Sequence, residues 1–134
     1  MINLMIAVFV GGALGATFRE YIMLMVQDPV DGFPLDILAA NLVAAFLLGL
    51  VAALHSRRII SDDVNALAGA GIMGGMSTFS SFVYGAVVLM AASTASAAVA
   101  AAYVTISTVL GYIAVLIGLK LGGESRLRRS GSLT

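Results

Sequence analysis

Four long apolar segments dominate this sequence and restrict it to a membrane-spanning fold. They cover residues 2–26, 36–54, 64–92 and 96–122. A helix needs roughly 20 apolar residues to cross a bilayer, so each segment is long enough to span. Because lipid offers no partners to backbone polar groups, only helices and closed barrels cross it. The segments therefore predict an all-α membrane protein of four transmembrane helices joined by short connections.

Composition excludes several other classes of protein. The chain is 60% hydrophobic and 10% charged, with a mean hydropathy of +1.06, which is typical of an integral membrane protein. Its net charge near zero argues against nucleic-acid binding. Cysteine is absent, and the single histidine, His55, stands beside Arg57 and Arg58 as a solvated loop residue would. A disulfide framework is excluded, and a metalloenzyme is not expected.

The chain divides into one membrane domain and a tail. The first apolar run lacks the basic region and the cleavage site of a signal peptide, so it is interpreted as a spanning helix. Residues 1–123 then form a four-helix transmembrane domain. Residues 124–134 are basic and rich in Ser and Gly, and we expect them to be a disordered cytoplasmic tail.

The distribution of charge predicts the orientation in the membrane. Four spans place the amino terminus, the 55–63 loop and the tail on one side. The basic residues of that side are Arg57, Arg58, Lys120, Arg126, Arg128 and Arg129. The opposite side carries Asp28, Asp31 and Asp36, together with Arg19 if that residue is counted there. By the positive-inside rule both termini are predicted to be cytoplasmic.

The third apolar segment contains a stretch unlike a lipid-facing helix. Residues 74–82 read GGMSTFSSF, with two glycines, four hydroxyls and two phenylalanines. Adjacent glycines weaken a helix by roughly 1 kcal/mol each relative to alanine. The hydroxyls that follow can bond to backbone groups that a broken helix leaves unpaired. We therefore predict a break near the middle of the third helix, where something polar is bound or passes.

Other polar residues lie inside the spans. Asn41 begins the second span, and Tyr103 and Ser107 share one face of the fourth. Each is also explained by a hydrogen bond between helices. Arg19 and Glu20 lie near the outer end of the first span, where Arg19 is either an interfacial anchor or a vestibule charge that attracts anions.

These groups favour an anion over a cation. Cation paths usually carry membrane-embedded acids, and Glu20 is the only acid in the interior of the spans. The edges of phenylalanine rings are positive and can face an anion. Phe79 and Phe82 are three residues apart on the helix that follows the break, whose amino terminus adds unpaired N–H groups. Two such rings are otherwise ordinary core residues.

Small residues recur at the spacing of close helix packing. The pairs are Gly11 with Gly15, Ala45 with Gly49, Gly71 with Gly75, and Ala114 with Gly118. This small-xxx-small spacing indicates tight packing or dimerisation. Four short helices enclose too little space for a pathway, so an oligomer is expected.

Several of these stretches together resemble the Fluc fluoride channels, also called CrcB proteins. They are GGALGA at 11–16 with Arg19, the Asn41-Leu42 start of the second span with Gly49, and GGMSTFSSF at 74–82. The resemblance covers essentially all four spans. It implies a small four-helix protein of the prokaryotic plasma membrane that assembles as an antiparallel dimer with two fluoride pores and confers fluoride resistance.

The resemblance also implies roles for individual residues. Phe79 and Phe82 would present ring edges to fluoride, and Asn41 would donate its amide to the ion. A track of hydroxyls would comprise Ser80, Ser81, Tyr103 and Ser107. Backbone carbonyls of Gly74 and Ser77 from both subunits would hold a central structural sodium ion, and Arg19 would lie in a vestibule. A channel of this kind requires no catalytic group.

Two features depart from the family pattern. Gly85 stands where an acidic residue is expected in some relatives, which puts the role of that acid in doubt here. The strong charge bias is the second departure, because homodimers that insert in both orientations carry nearly balanced charge. Either the chain pairs with an oppositely oriented paralogue, or the bias does not dictate insertion and a homodimer forms.

Two other functions are compatible with four short helices. A small multidrug antiporter needs a membrane-embedded carboxylate, for which Glu20 beside Arg19 is the only candidate, and the chain has no tryptophan to line a drug site. A non-transporting scaffold would need only the Ala/Gly packing, and it leaves Asn41, Phe79, Ser80 and Phe82 without a role.

Overall fold

The computed structural model describes residues 2–26, 33–92 and 94–124, and every regular element within them is helical. Helix α1 is Ile2–Met25 and α2 is Leu35–Ser56. The third span begins as α3 (Asp62–Asn65), continues as a π-helical segment (Ala66–Met73) and as α4 (Gly74–Met76), and resumes as α5 (Phe79–Ala92). Helix α6 is Thr94–Glu124.

Four of these helical runs are long and apolar enough to cross a membrane. They are Asn3–Met25, Leu35–Ser56, Asp62–Ala91 and Ala97–Gly123. The predicted fold class and the four spans are therefore confirmed, and the chain is a multi-pass membrane protein. The predicted disordered tail lies outside the described residues except for Glu124, the last residue of α6.

Ser61 caps the start of the third span. Its side-chain oxygen accepts a hydrogen bond from the Val64 N–H at 3.3 Å, and Asp62 and Asp63 occupy the first turn. A hydroxyl at this position satisfies a backbone donor that the helix cannot pair, and acids there complement the positive end of the helix dipole.

The loop before this cap is held at both sides by polar contacts. His55 Nε2 lies 2.8 Å from Asp62 Oδ1, and the Arg57 guanidinium donates to the carbonyl of Gly122 at the end of α6. A cation at the carboxyl end of a helix is favoured by the dipole. The basic loop is thereby fixed to the same end of the bundle as the carboxyl end of α6.

The predicted small-residue pairs pack helices within the chain. A Cβ on Gly75 would overlap the carbonyl oxygen of Gly12 on α1, and a Cβ on Gly118 of α6 would overlap the carbonyl oxygen of Phe46 on α2. Glycine is required at both crossings because the two backbones touch. These contacts join α1 to the first part of the third span and α2 to α6.

The third span breaks as predicted, but the predicted cause is wrong. Gly74 has right-handed helical angles, with φ −64° and ψ −37°, and both glycines lie within α4. The chain leaves the helix at Ser77, whose φ is −78° and ψ is 144°. Gly75 allows the close approach to α1, and the break begins where Ser77 becomes extended.

Candidate functional site

The break is fixed by a hydrogen bond from outside the third span. The Thr78 N–H donates to Asn41 Oδ1 on α2 at 2.9 Å. In an uninterrupted helix the same N–H would donate to the carbonyl of Gly74. The Asn41 amide oxygen accepts this bond, which leaves the NH₂ group as the donor end of the side chain. The role of Asn41 as a donor to an ion stays a prediction.

Thr78 is the centre of a small network of hydroxyls. Its Oγ1 accepts from the Ser81 N–H at 3.2 Å, donates to Ser81 Oγ at 3.2 Å and lies 3.1 Å from Ser80 Oγ. Thr78 is thus the N-cap of α5. Among the described residues with a polar or charged side chain, Thr78 is the one classed as buried. The prediction from the sequence missed it. The sequence does contain a signal for this cap: a threonine directly precedes an apolar helix and stands three residues before a serine.

The carbonyls of Gly74 and Ser77 both lose their helical donors at the break. Thr78 N–H would pair with Gly74 and Ser81 N–H with Ser77 in a continuous helix, but they donate to Asn41 and to the Thr78 hydroxyl instead. Unpaired carbonyls at the carboxyl end of a helix carry negative partial charge. Oxygen ligands of this kind suit a hard cation, so the two predicted sodium ligands fit that ion.

No side-chain metal cluster competes with this assignment in the described ranges. Groups of three or more His, Cys, Asp or Glu residues that could hold a metal are absent there. A metal bound near the break would therefore rely on backbone oxygens.

Aromatic rings extend from the surface of the chain into its core. The centroids of Phe79 and Phe82 are 6.1 Å apart, and those of Phe82 and Tyr103 are 5.4 Å apart. Phe33 meets Tyr103 edge to face at 5.4 Å. Phe79 is 79% exposed, whereas Tyr103 is fully buried with Leu38, Leu89 and Ala100. The two predicted pore phenylalanines are neighbours, but only Phe82 packs against this core.

Two buried hydroxyls on α6 lie close enough to interact with one another and have no other hydrogen-bond partner among the described residues. They are Tyr103 Oη and Ser107 Oγ, which lie one turn apart on the same face of the helix. A buried hydroxyl whose hydrogen-bonding capacity is only partly used costs up to about 1–3 kcal/mol. Native structures rarely carry such a cost without a reason, so these groups are candidates for contact with a ligand.

The structure does not join every predicted residue to the site. Hydrogen bonds connect Asn41, Thr78, Ser80 and Ser81. Arg19 instead lies 3.8 Å from Glu20, its neighbour on α1. Described contacts likewise leave Ser107 apart from the serines of α5.

The chain matches the family model described as CrcB-like protein, camphor resistance, over residues 6–119. It belongs to the CrcB family. Among curated proteins it is 59% identical to the fluoride-specific ion channel FluC 2 of Brucella melitensis over 125 residues, which are 93% of this chain and 46% of that protein. It is 50% identical to the fluoride-specific ion channel FluC 3 of Yersinia pseudotuberculosis over 126 residues, 94% of this chain and 93% of that protein. The chain thus spans about half the length of the Brucella relative and nearly all of the Yersinia relative.

In this CrcB chain the structure explains why position 85 is glycine. A Cβ on Gly85 would lie 3.0 Å from Pro34 Cγ and 3.5 Å from Tyr103 Oη. Pro34, the N-cap of α2, therefore presses directly on the backbone of α5. A side chain at this position would require the proline ring to shift by a few tenths of an ångström.

Proposed function

We propose that this protein is a fluoride-selective channel that passively exports cytoplasmic fluoride. The observation that carries the proposal is the break in the third span, where an amide, a hydroxyl network and aromatic rings meet without a carboxylate among them. Membership of the CrcB family and the names of the relatives support the same function. The hydrogen-bonded residues at the break, Asn41, Thr78, Ser80 and Ser81, include no carboxylate of the kind that a proton-coupled cation antiporter needs.

The chemistry of fluoride explains what such a channel achieves. Hydrogen fluoride is a weak acid that crosses membranes as a neutral molecule and dissociates in the less acidic cytosol. The negative membrane potential then drives the trapped anion outward through a passive path. Export of this kind gives resistance to fluoride and uses no catalytic group.

The residues at the break supply the groups that replace the hydration of an anion. The NH₂ of Asn41 and the hydroxyls of Ser80, Ser81, Tyr103 and Ser107 are donors. The positive ring edges of Phe79 and Phe82 add weaker attraction in a dry site, and the amino terminus of α5 adds a positive dipole. Selectivity follows if these groups close tightly on fluoride, since chloride is too large to fit as well. Arg19 is assigned to a vestibule, where its charge attracts anions.

The exposure of Phe79 supports an assembly of two chains. Its ring lies at the surface of the single chain, although it would be a pore residue, so a second copy is needed to complete the path. We propose an antiparallel homodimer in the plasma membrane with two pores. The alternative partner is an oppositely oriented paralogue, which the positive charge at one end of this chain favours.

A sodium ion at the dimer axis is part of the proposal. The carbonyls of Gly74 and Ser77 from both subunits would hold it, since both oxygens lack helical donors. When bound, the ion would neutralise the negative ends of two facing helices.

Flux from liposomes tests the function. Purified protein is reconstituted into potassium-loaded vesicles, valinomycin is added, and fluoride and chloride are followed with ion-selective electrodes. We expect fluoride efflux with little chloride efflux. No fluoride efflux from the protein alone would contradict a homomeric channel, and rescue by a co-expressed paralogue would then support the heterodimer.

A further inference from the structure

An open cavity of about 820 Å³ lies at the end of the bundle where the second span joins the third. Its lining includes a cation, two hydroxyls and two isoleucines, which are Arg58, Ser56, Ser61, Ile59 and Ile60. The loop between the two spans covers residues 57–61, and a loop this short keeps the cavity at the level of the lipid headgroups. The chain therefore meets both lipid and water at this cavity.

The backbone of Arg58 has a conformation that favours glycine. Its φ is 55°, and it is the residue other than glycine with a positive φ in the described ranges. Its N–H donates to the His55 carbonyl at 2.8 Å, and the Ile59 N–H donates to the Leu54 carbonyl at 3.0 Å. This pair of bonds is the Schellman motif, in which the position of Arg58 is usually taken by glycine. Because residues strained in this way cluster at functional sites, the presence of an arginine here calls for a role of its side chain.

Contacts within the chain do not supply that role. No hydrogen bond or ion pair joins the Arg58 guanidinium to another residue that the structure describes, and the residue is exposed. The neighbouring Arg57, by contrast, donates to the carbonyl of Gly122. Asp62 also lines the cavity, but its carboxylate lies 2.8 Å from His55 Nε2. Arg58 is therefore a strained cation that stabilises nothing in the described part of the chain.

The groups around Arg58 suit the phosphate of a phospholipid. A guanidinium binds two phosphate oxygens through paired N–H donors. Ser61 Oγ accepts from the Val64 N–H, so its own proton remains as a donor. Ile59 is 55% exposed beside these polar groups, and a free phosphate would leave it in water. A phospholipid brings an acyl chain to the isoleucine together with a phosphate for Arg58.

We propose that Arg58 and Ser61 bind the phosphate of an anionic phospholipid whose acyl chain packs on Ile59. Basic residues next to a span attract anionic lipids in general, and the strained backbone of Arg58 makes this one a specific site. The Asp62 carboxylate opposes the anion, so its removal should strengthen binding. The inference does not rest on the proposed function, because lipid binding is measured without ion flux.

Native mass spectrometry of the purified protein in detergent tests the site by titration with phosphatidylglycerol. Arg58→Gly and Arg58→Asn remove the guanidinium and keep residues that accept a positive φ. Each should raise the Kd for phosphatidylglycerol about tenfold. Asp62→Asn should lower the Kd about threefold. An unchanged Kd in both Arg58 variants would overturn the proposal.

Two controls separate a site from a general attraction to positive charge. Arg57→Gln removes the same charge from the adjacent residue, which is outside the cavity lining and donates to Gly122. Lys120→Gln removes it from α6. Both controls should bind phosphatidylglycerol like the wild type. A loss in either control equal to that in Arg58→Gly would show general attraction and contradict a site at Arg58.

Melting temperatures test the link between strain and binding. In detergent with phosphatidylcholine, Arg58→Gly should melt about 2–4 °C above the wild type, because glycine relieves the positive φ. Added phosphatidylglycerol should then raise the melting temperature of the wild type and leave that of Arg58→Gly unchanged. An equal rise in both proteins would refute binding at Arg58. A variant that melts no higher in phosphatidylcholine would contradict the strain on which the proposal rests.

A last comparison distinguishes a lipid from a soluble phosphate compound. Ile59→Ser removes the proposed contact with the acyl chain and should raise the Kd for phosphatidylglycerol about fivefold. Glycerol 3-phosphate, which has the phosphate without acyl chains, should not displace the lipid at an equal concentration. Displacement by glycerol 3-phosphate, or an unchanged Kd in Ile59→Ser, would make the occupant a soluble phosphate compound and overturn the lipid assignment.

Discussion

Phe79 and Phe82 are neighbours in space but differ in what they contact. Phe79 is at the surface of the chain, whereas Phe82 packs against the core cluster around Tyr103. Removing either ring deletes a positive edge from the proposed path, but only the loss of Phe82 disturbs the fold. Function and stability can therefore be separated at these two positions.

We expect Phe79→Ile and Phe82→Ile both to slow fluoride efflux while the dimer still assembles. Phe82→Ile should also lower the free energy of unfolding by about 1–3 kcal/mol, because it leaves space in a packed core. Efflux is measured in liposomes and assembly by size-exclusion chromatography. Phe9→Ile is the control, since Phe9 on α1 has the same 79% exposure as Phe79. Wild-type efflux in both pore variants would remove the argument from ring edges.

Thr78 is the second residue whose replacement is informative. Thr78→Val keeps the shape of the side chain and removes an oxygen that caps α5 and meets two serines. Loss of an N-cap costs about 0.5–2 kcal/mol, and fluoride efflux should fall because Ser80 and Ser81 lose their partner.

The control for Thr78 is Thr105→Val, which removes an exposed hydroxyl bonded to the Ala101 carbonyl of its own helix. Chemical unfolding in detergent measures the stability of both variants. Equal stability of Thr78→Val and Thr105→Val would show that the network does not hold the break.

Among the elements, the third span is held by two different neighbours on either side of its break. Before the break, Gly75 rests on the backbone of Gly12 on α1. After it, α5 packs against α6 and the start of α2 through Tyr103 and Pro34. The break therefore lies where the span changes partners, and a π-helical segment, a form frequent at functional sites, precedes it.

This packing predicts that two glycines at one crossing respond differently to alanine. A Cβ on Gly75 would overlap the Gly12 carbonyl oxygen, whereas a Cβ on Gly12 has nothing within 4 Å. Gly75→Ala should lower the free energy of unfolding by about 1–3 kcal/mol through overpacking. Gly12→Ala should be neutral, or more stable by about 1 kcal/mol through helix propensity. Denaturation in detergent distinguishes them, and the reverse order would refute the crossing.

At the scale of the whole molecule, the proposed assembly depends on what contacts the break in the third span. Gly74 and Ser77 are exposed residues at the surface of the chain, where a second copy would bring an equivalent pair. Two negative helix ends repel one another unless a cation lies between them. The dimer and the sodium ion are thus coupled in the proposal.

We therefore expect the dimer to be less stable when sodium is replaced by N-methylglucamine. A ligand that binds only the assembled form raises its apparent stability, by about 2.7 kcal/mol at a concentration one hundred times its Kd. Thermal unfolding in detergent is compared in sodium chloride and in N-methylglucamine chloride at equal ionic strength. Identical melting temperatures at saturating sodium would contradict a structural ion.

The sequence by itself determined the class of fold and the four spans, because both depend on local properties of the chain. Long apolar runs have only the helix available in lipid. The break was also placed correctly to within a few residues. Its cause was not, because both glycines lie within a helix and Gly75 serves the packing on α1.

Only the tertiary structure decided how the break is made and what surrounds it. The bond from Thr78 to Asn41 joins residues 37 positions apart, and no local pattern specifies that pairing. No local pattern specifies the contact of Pro34 with Gly85 either, or the burial of Tyr103 among residues of α2, α5 and α6. These contacts depend on how the helices cross, and the crossings are set by the backbone contacts at glycines. Together the contacts turn a polar interruption in one span into a site.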